Sequence, residues 1–154
     1  MIEVRFDKLL ACFSELGIER NVDTFTERKK LQKLTYLLQK FCVDLEVSYS
    51  WYLHGPYSPQ LTRALFDSMS KTQPSKLTKQ EAERVRALRT NLGTNLDSTD
   101  FLELIVSLDF IKAQMPSASL TEITQILRQK KPFFTGLDIS RASDTLSLLE
   151  RTFR

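Results

Sequence analysis

Apolar residues recur at helical spacing from the start of the chain: Ile2, Phe6, Leu9, Leu10, Phe13 and Leu16 share one face over 2–16. Gly17 follows as a helix stop. Thr24 and Glu27 stand at capping-box spacing ahead of a helix that runs to about Phe41, with Leu31, Leu34, Leu38 and Phe41 on its inner face. The period then changes to two. Over 47–53, Val47, Tyr49, Trp51 and Leu53 alternate with Ser48, Ser50 and Tyr52, which predicts a short strand with one buried face. Gly55-Pro56 turns the chain. Ser58 and Pro59 form an N-cap and first-turn pair, so a helix opens there with Leu61, Leu65 and Met69 inside.

The second half is helical throughout. After the polar linker 71–76, Thr78 and Glu81 make another capping box, with Leu77 placed to staple against Ala82. Val85, Leu88 and Leu92 continue that helix to Gly93. Residues 101–111 are apolar at eight of eleven positions, the mark of a central helix covered on all sides, and Pro116 ends it. Ser119 and Glu122 open a helix with Leu120, Ile123, Ile126 and Leu127 inside, closed by Pro132. Beyond Phe133, Phe134 and Gly136, Ile139, Ala142, Leu146 and Leu149 line a last helix. A lone strand would leave backbone groups unpaired, so 47–57 is expected to form a hairpin or to pair with another extended segment. The expected fold is mainly α: one compact domain over 1–154, a bundle of about seven helices with one short β element.

Composition narrows the chemistry. At 154 residues, 42% hydrophobic and 27% charged, the chain can bury one sizeable core. A net charge of +3 and a pI near 8.9 are mild for a dedicated nucleic-acid binder. Cys12 and Cys42 lie among apolar helix residues without a C-x-x-C pair, and His54 is the single histidine. No metal set forms from these, and four isolated glycines make no phosphate loop, so no cofactor is expected. The first residues carry no signal-peptide pattern, and 101–111 is too short and too acidic for a membrane span. A cytoplasmic protein with reduced thiols is the expectation.

Two runs stand out: KLQKLTYLLQKF, and after a short gap WYLHGPYSPQL. Together they resemble the Panacea, or SocA-like, antitoxin-associated family, and most closely its YwgA-like branch. The helix motif matches at Lys30, Leu31, Gln32, Lys33, Leu34 and Tyr36, and the turn motif at Gly55, Pro56, Pro59 and Leu61. His54 stands where the family pattern has tyrosine, and Thr35 where it often has an apolar residue. The likeness lies in the first 70 residues, a family-like core ahead of the helical half 77–154. It implies a mostly helical domain that neutralises a toxin or adapts another partner protein, with no catalytic residues.

Candidate binding residues follow from the same stretch. At 100° per residue, Lys29, Lys33, Tyr36 and Lys40 fall within about 60° of one another, opposite the leucines, with Arg28 and Lys30 beside them. Such a stripe serves either as a docking face for an acidic partner or as an ordinary solvated face. Tyr49, Trp51, Tyr52, His54 and Tyr57 combine apolar bodies with polar tips around a rigid turn, which suits recognition; the other reading is that they plug the core. His54 reads as a turn histidine bonded to local backbone, since no sequence motif supplies it with a nucleophile. An enzyme would need a pocket joining His54 to a carboxylate. Arg128, Lys130 and Lys131 suit a helix end and extend the basic stripe only if the fold brings them beside Lys29 and Lys33. The leading expectation is a non-enzymatic protein-interaction module, with a toxin among its implied partners. The alternative is a nucleic-acid-binding helical regulator, although Glu81 and Glu83 dilute Arg84, Arg86 and Arg89 in the 79–91 stretch and no recognition helix stands out.

Overall fold

The computed structural model describes residues 4–67 and 72–154. Among them the chain forms α1 (Phe6–Leu16), α2 (Phe25–Phe41), β1 (Ser50–Tyr52), β2 (Gly55–Tyr57), α3 (Pro59–Asp67) and α4 (Lys79–Leu92). A 3-10 turn (Gly93–Asp97), α5 (Thr99–Gln114), α6 (Leu120–Lys130) and α7 (Gly136–Thr152) complete it. The mainly α bundle with one antiparallel hairpin is the architecture the periodicity predicts. Expectations placed on Ile2, Met69 and Lys71 fall outside the described residues.

Local chemistry sets the helix ends. Gly17 takes φ 73° and its N–H closes the last turn of α1. Thr24 accepts from the Glu27 N–H at 3.1 Å to start α2. The reciprocal capping boxes at Thr78/Glu81 and Ser119/Glu122 both form. Two further caps went unread in the sequence: Ser98 on the Phe101 N–H, and a full box between Thr135 and Asp138. Beyond Leu92 the chain turns through the 3-10 segment, in which Leu96 is buried.

Helix α5 is the centre of the fold. Residues 102–109 are buried without a break, and the helix meets α2, α6, α7 and the hairpin. The acids Glu103 and Asp109 sit inside this apolar run, 1% and 2% exposed. An ionised carboxylate at such depth must be paired, and both are paired from α2.

The hairpin differs from its sequence reading in one respect. Ser50 faces Tyr57, Trp51 faces Pro56 and Tyr52 faces Gly55, so the turn falls on Leu53 and His54 rather than on Gly55-Pro56. Gly55 takes φ +84° directly after the turn, a conformation that suits a residue without a Cβ. Leu53 therefore leaves the alternation and stands 85% exposed instead of joining Val47 inside. Two three-residue strands do not hold together in water unaided. Here two glutamines of α2 brace both ends. Gln39 exchanges two 2.8 Å hydrogen bonds with the backbone of Val47. Gln32 does the same for Ser58, donating to its carbonyl at 2.8 Å and accepting from its N–H at 3.1 Å.

Candidate functional site

The stripe expected on the outside of α2 is largely internal, with Lys40 alone exposed. Lys33 is 1% exposed, and its ammonium reaches the Pro56 carbonyl at 2.5 Å. Lys29 pairs with Glu103 Oε1 at 2.7 Å. Tyr36 donates to Asp109 Oδ2 at 2.6 Å, and Lys40 pairs with Asp109 Oδ1. The solvated reading is corrected for Lys29, Lys33 and Tyr36, while Lys40 keeps an exposed side chain, and the reason lies in α5. Its two buried acids require cations, and the polar face of α2 supplies them, so α5 covers much of that face. Acids inside the run FLELIVSLDFI were the available signal, because a charge in an all-round apolar helix implies a partner.

The aromatic residues divide. Tyr49 lies half-buried, edge-on to Tyr36 at 5.1 Å, and Trp51 tilts against Phe110 at 6.0 Å. Lys130 and Lys131 each approach the Trp51 ring at 5.7 Å. These two aromatics thus serve the interior. Tyr52, His54 and Tyr57 instead line a cleft of about 270 Å³ between the hairpin and the start of α2. Phe25, Arg28, Lys29, Gln32, Lys33, Leu53 and Thr62 complete its walls. Phe25 and Leu53 were not among the expected contacts, yet both stand out, Phe25 53% and Leu53 85% exposed. The His54 ring tilts onto Phe25 at 4.9 Å, and the Tyr57 hydroxyl shares a 2.7 Å hydrogen bond with Thr62.

Under the cleft lies a charge cluster. Lys131, at the end of α6, folds beside Lys29 as its sequence position allowed: both hold Glu103, Lys131 at 2.9 Å through Oε2. Lys131 also donates to the Leu53 carbonyl at 3.2 Å. Burial pushes the Glu103 carboxyl up, but the hydrogen bonds from Lys29 and Lys131 outweigh it and hold the group below the usual range. Burial lowers Lys33 to about 7; Glu103 partly opposes this, while Lys131 and Lys29 add to it.

His54 Nδ1 lies 3.5 Å from Glu103 Oε1, which brings a carboxylate of α5 beside the turn. Both oxygens of that carboxylate already accept from lysines, which makes it a poor base. The thiols offer no nucleophile: burial pushes Cys12 and Cys42 each up to about 12. Among the arginines of α4, Arg84 donates to the Phe41 and Phe153 carbonyls and Arg86 pairs with Glu15. Among the described residues no group of three His, Cys, Asp or Glu side chains could hold a metal, and no helix is long and apolar enough to cross a membrane. A second cleft, of about 610 Å³, lies between the start of α5 and α7 beside exposed Phe133, and it includes none of the expected site residues. Compared with family models, curated proteins and solved structures, the chain matches none.

Proposed function

We propose that this chain is a non-enzymatic protein-interaction module that masks or adapts a partner protein through the hairpin tip and the start of α2. The carrying observation is the exposed apolar rim Phe25, Tyr52 and Leu53 around a small, largely apolar cleft. An exposed leucine at a turn has no use in the fold, and apolar anchors seated in preformed clefts dominate protein recognition. The brace from Gln32, Gln39, Lys33 and Lys131 fixes the hairpin beforehand, which lowers the ordering cost of binding. The two motifs behind the Panacea-like resemblance also meet, since Gln32 and Lys33 of one hold Ser58 and Pro56 of the other. That contact supports the family-like reading, in which a toxin is one class of partner.

A photo-crosslinking residue at position 53, expressed in the native host, tests the reading. One protein should be captured at high yield, and Phe25→Asp or Tyr52→Asp should abolish the capture. Crosslinking to nucleic acid, or capture indifferent to both substitutions, would overturn it.

A further inference from the structure

The cluster beneath the cleft is unbalanced. Lys29 and Lys131 both pair with one carboxylate, Glu103, and Lys33 lies close enough to feel the charge of all three. The acceptor of Lys33 is the carbonyl of Pro56. Uncompensated positive charge in a buried site is costly, and an incoming anion relieves it. The same cleft has aromatic walls from Phe25, Tyr52 and Tyr57. It therefore asks for a negative charge and an apolar group close together. At about 270 Å³ it is also at the small end for ligand sites, with room for one residue rather than a drug-sized molecule.

We propose that the cleft receives the carboxyl-terminal residue of a partner protein, with Lys29 and Lys33 taking the carboxylate and the aromatic walls taking an apolar side chain. A terminal residue carries both groups on one Cα and enters from one side. An internal acidic residue places its charge on the side chain and needs the chain to leave the cleft at both ends. Capture of chain ends by fixed donors is a recurring recognition mode. The inference rests on the proposed docking role of this cleft.

Protonation gives the site a second signature. The groups facing Lys33 are Lys29 on its own helix, Glu103 on α5 and Lys131 at the end of α6, with His54 of the hairpin against Glu103. A bound carboxylate favours the charged form of Lys33, so binding takes up a proton. Affinity should fall as pH rises above about 7.

The test uses the whole chain with acetylated hexapeptides ending in Leu or Phe, each as free acid and as amide, titrated at pH 7 and pH 9. The free acids should bind at least ten times more tightly than the amides at pH 7, with the preference shrinking at pH 9. Lys29→Met and Lys33→Met should each remove the preference. Should Lys33→Met not fold, Lys29→Met and the pH dependence decide. Equal binding of acid and amide would overturn the carboxylate site yet leave the docking cleft standing. An amidated peptide with an internal Asp that matches the free acid would overturn the terminal-residue assignment. No binding by any peptide would overturn the inference, while capture at position 53 judges the docking role separately.

Discussion

Gln32 and Ser58, 26 residues apart, exchange two hydrogen bonds through one side-chain amide, so the glutamine satisfies a backbone residue as a neighbouring strand would. Gln39 repeats the arrangement at Val47. The hairpin between them is thereby built into α2. Gln32→Leu leaves a buried N–H and carbonyl unpaired and should cost about 2–3 kcal/mol. Urea denaturation checks the value, and a loss below roughly 0.5 kcal/mol, the background of surface substitutions, would show the brace to be dispensable.

The buried ion pairs make a second prediction. Glu103→Gln leaves Lys29 and Lys131 facing an uncharged group in the interior and should destabilise the fold by about 3 kcal/mol. Lys29→Met should cost much less, because Lys131 still holds the carboxylate. Thermal unfolding of the two variants side by side distinguishes them.

Stability should also depend on pH in two windows. The folded Glu103 carboxyl lies below its unfolded value, so its contribution is complete above about pH 4.5 and is lost as pH falls through the folded value. Lys33 acts with the opposite slope. Its folded value near 7 lies below the unfolded 10.5, so the unfolded chain binds more protons and stability rises with pH from about 7. The rise is at most about 1.4 kcal/mol per pH unit. Above about pH 8.5 the thiols oppose it, since Cys12 and Cys42 keep their protons longer when folded. Denaturation at pH 7.0 and 8.3 should therefore show a gain that Lys33→Met abolishes.

Gly55 provides a fourth prediction. Its φ is +84°, and an added Cβ would overlap the buried Ser107 hydroxyl. Gly55→Ala should cost about 2 kcal/mol through backbone strain and that overlap. Adding Ser107→Gly should recover the part due to the overlap, measured by a double-mutant cycle.

Much of the fold was legible because its signals are local. Thr78/Glu81, Ser119/Glu122 and Gly17 mark real helix ends, and the run 101–111 is the central helix. The site was less legible. Periodicity shows that Lys29, Lys33, Tyr36 and Lys40 share a face, but not that a second helix covers it. The covering helix announced itself only through Glu103 and Asp109, whose charge conflicts with their apolar surroundings. Leu53 was misplaced because strict alternation assumes the strand continues, whereas the turn begins there. Its exposure, together with that of Phe25, then became the strongest pointer to a partner.

The two charge sets also act as a ruler. Glu103 and Asp109 are matched by Lys29 at one level and by Tyr36 with Lys40 at the next. Leucine-rich surfaces tolerate sliding, because one leucine fits where another did. Carboxylates do not. If α2 slipped one turn along α5, Asp109 would part from Tyr36 and Lys40 and Glu103 would be left with Lys131 alone, an error larger than any mismatch of methyl groups. The lysines that look like a surface for another molecule are what give these two helices a single alignment.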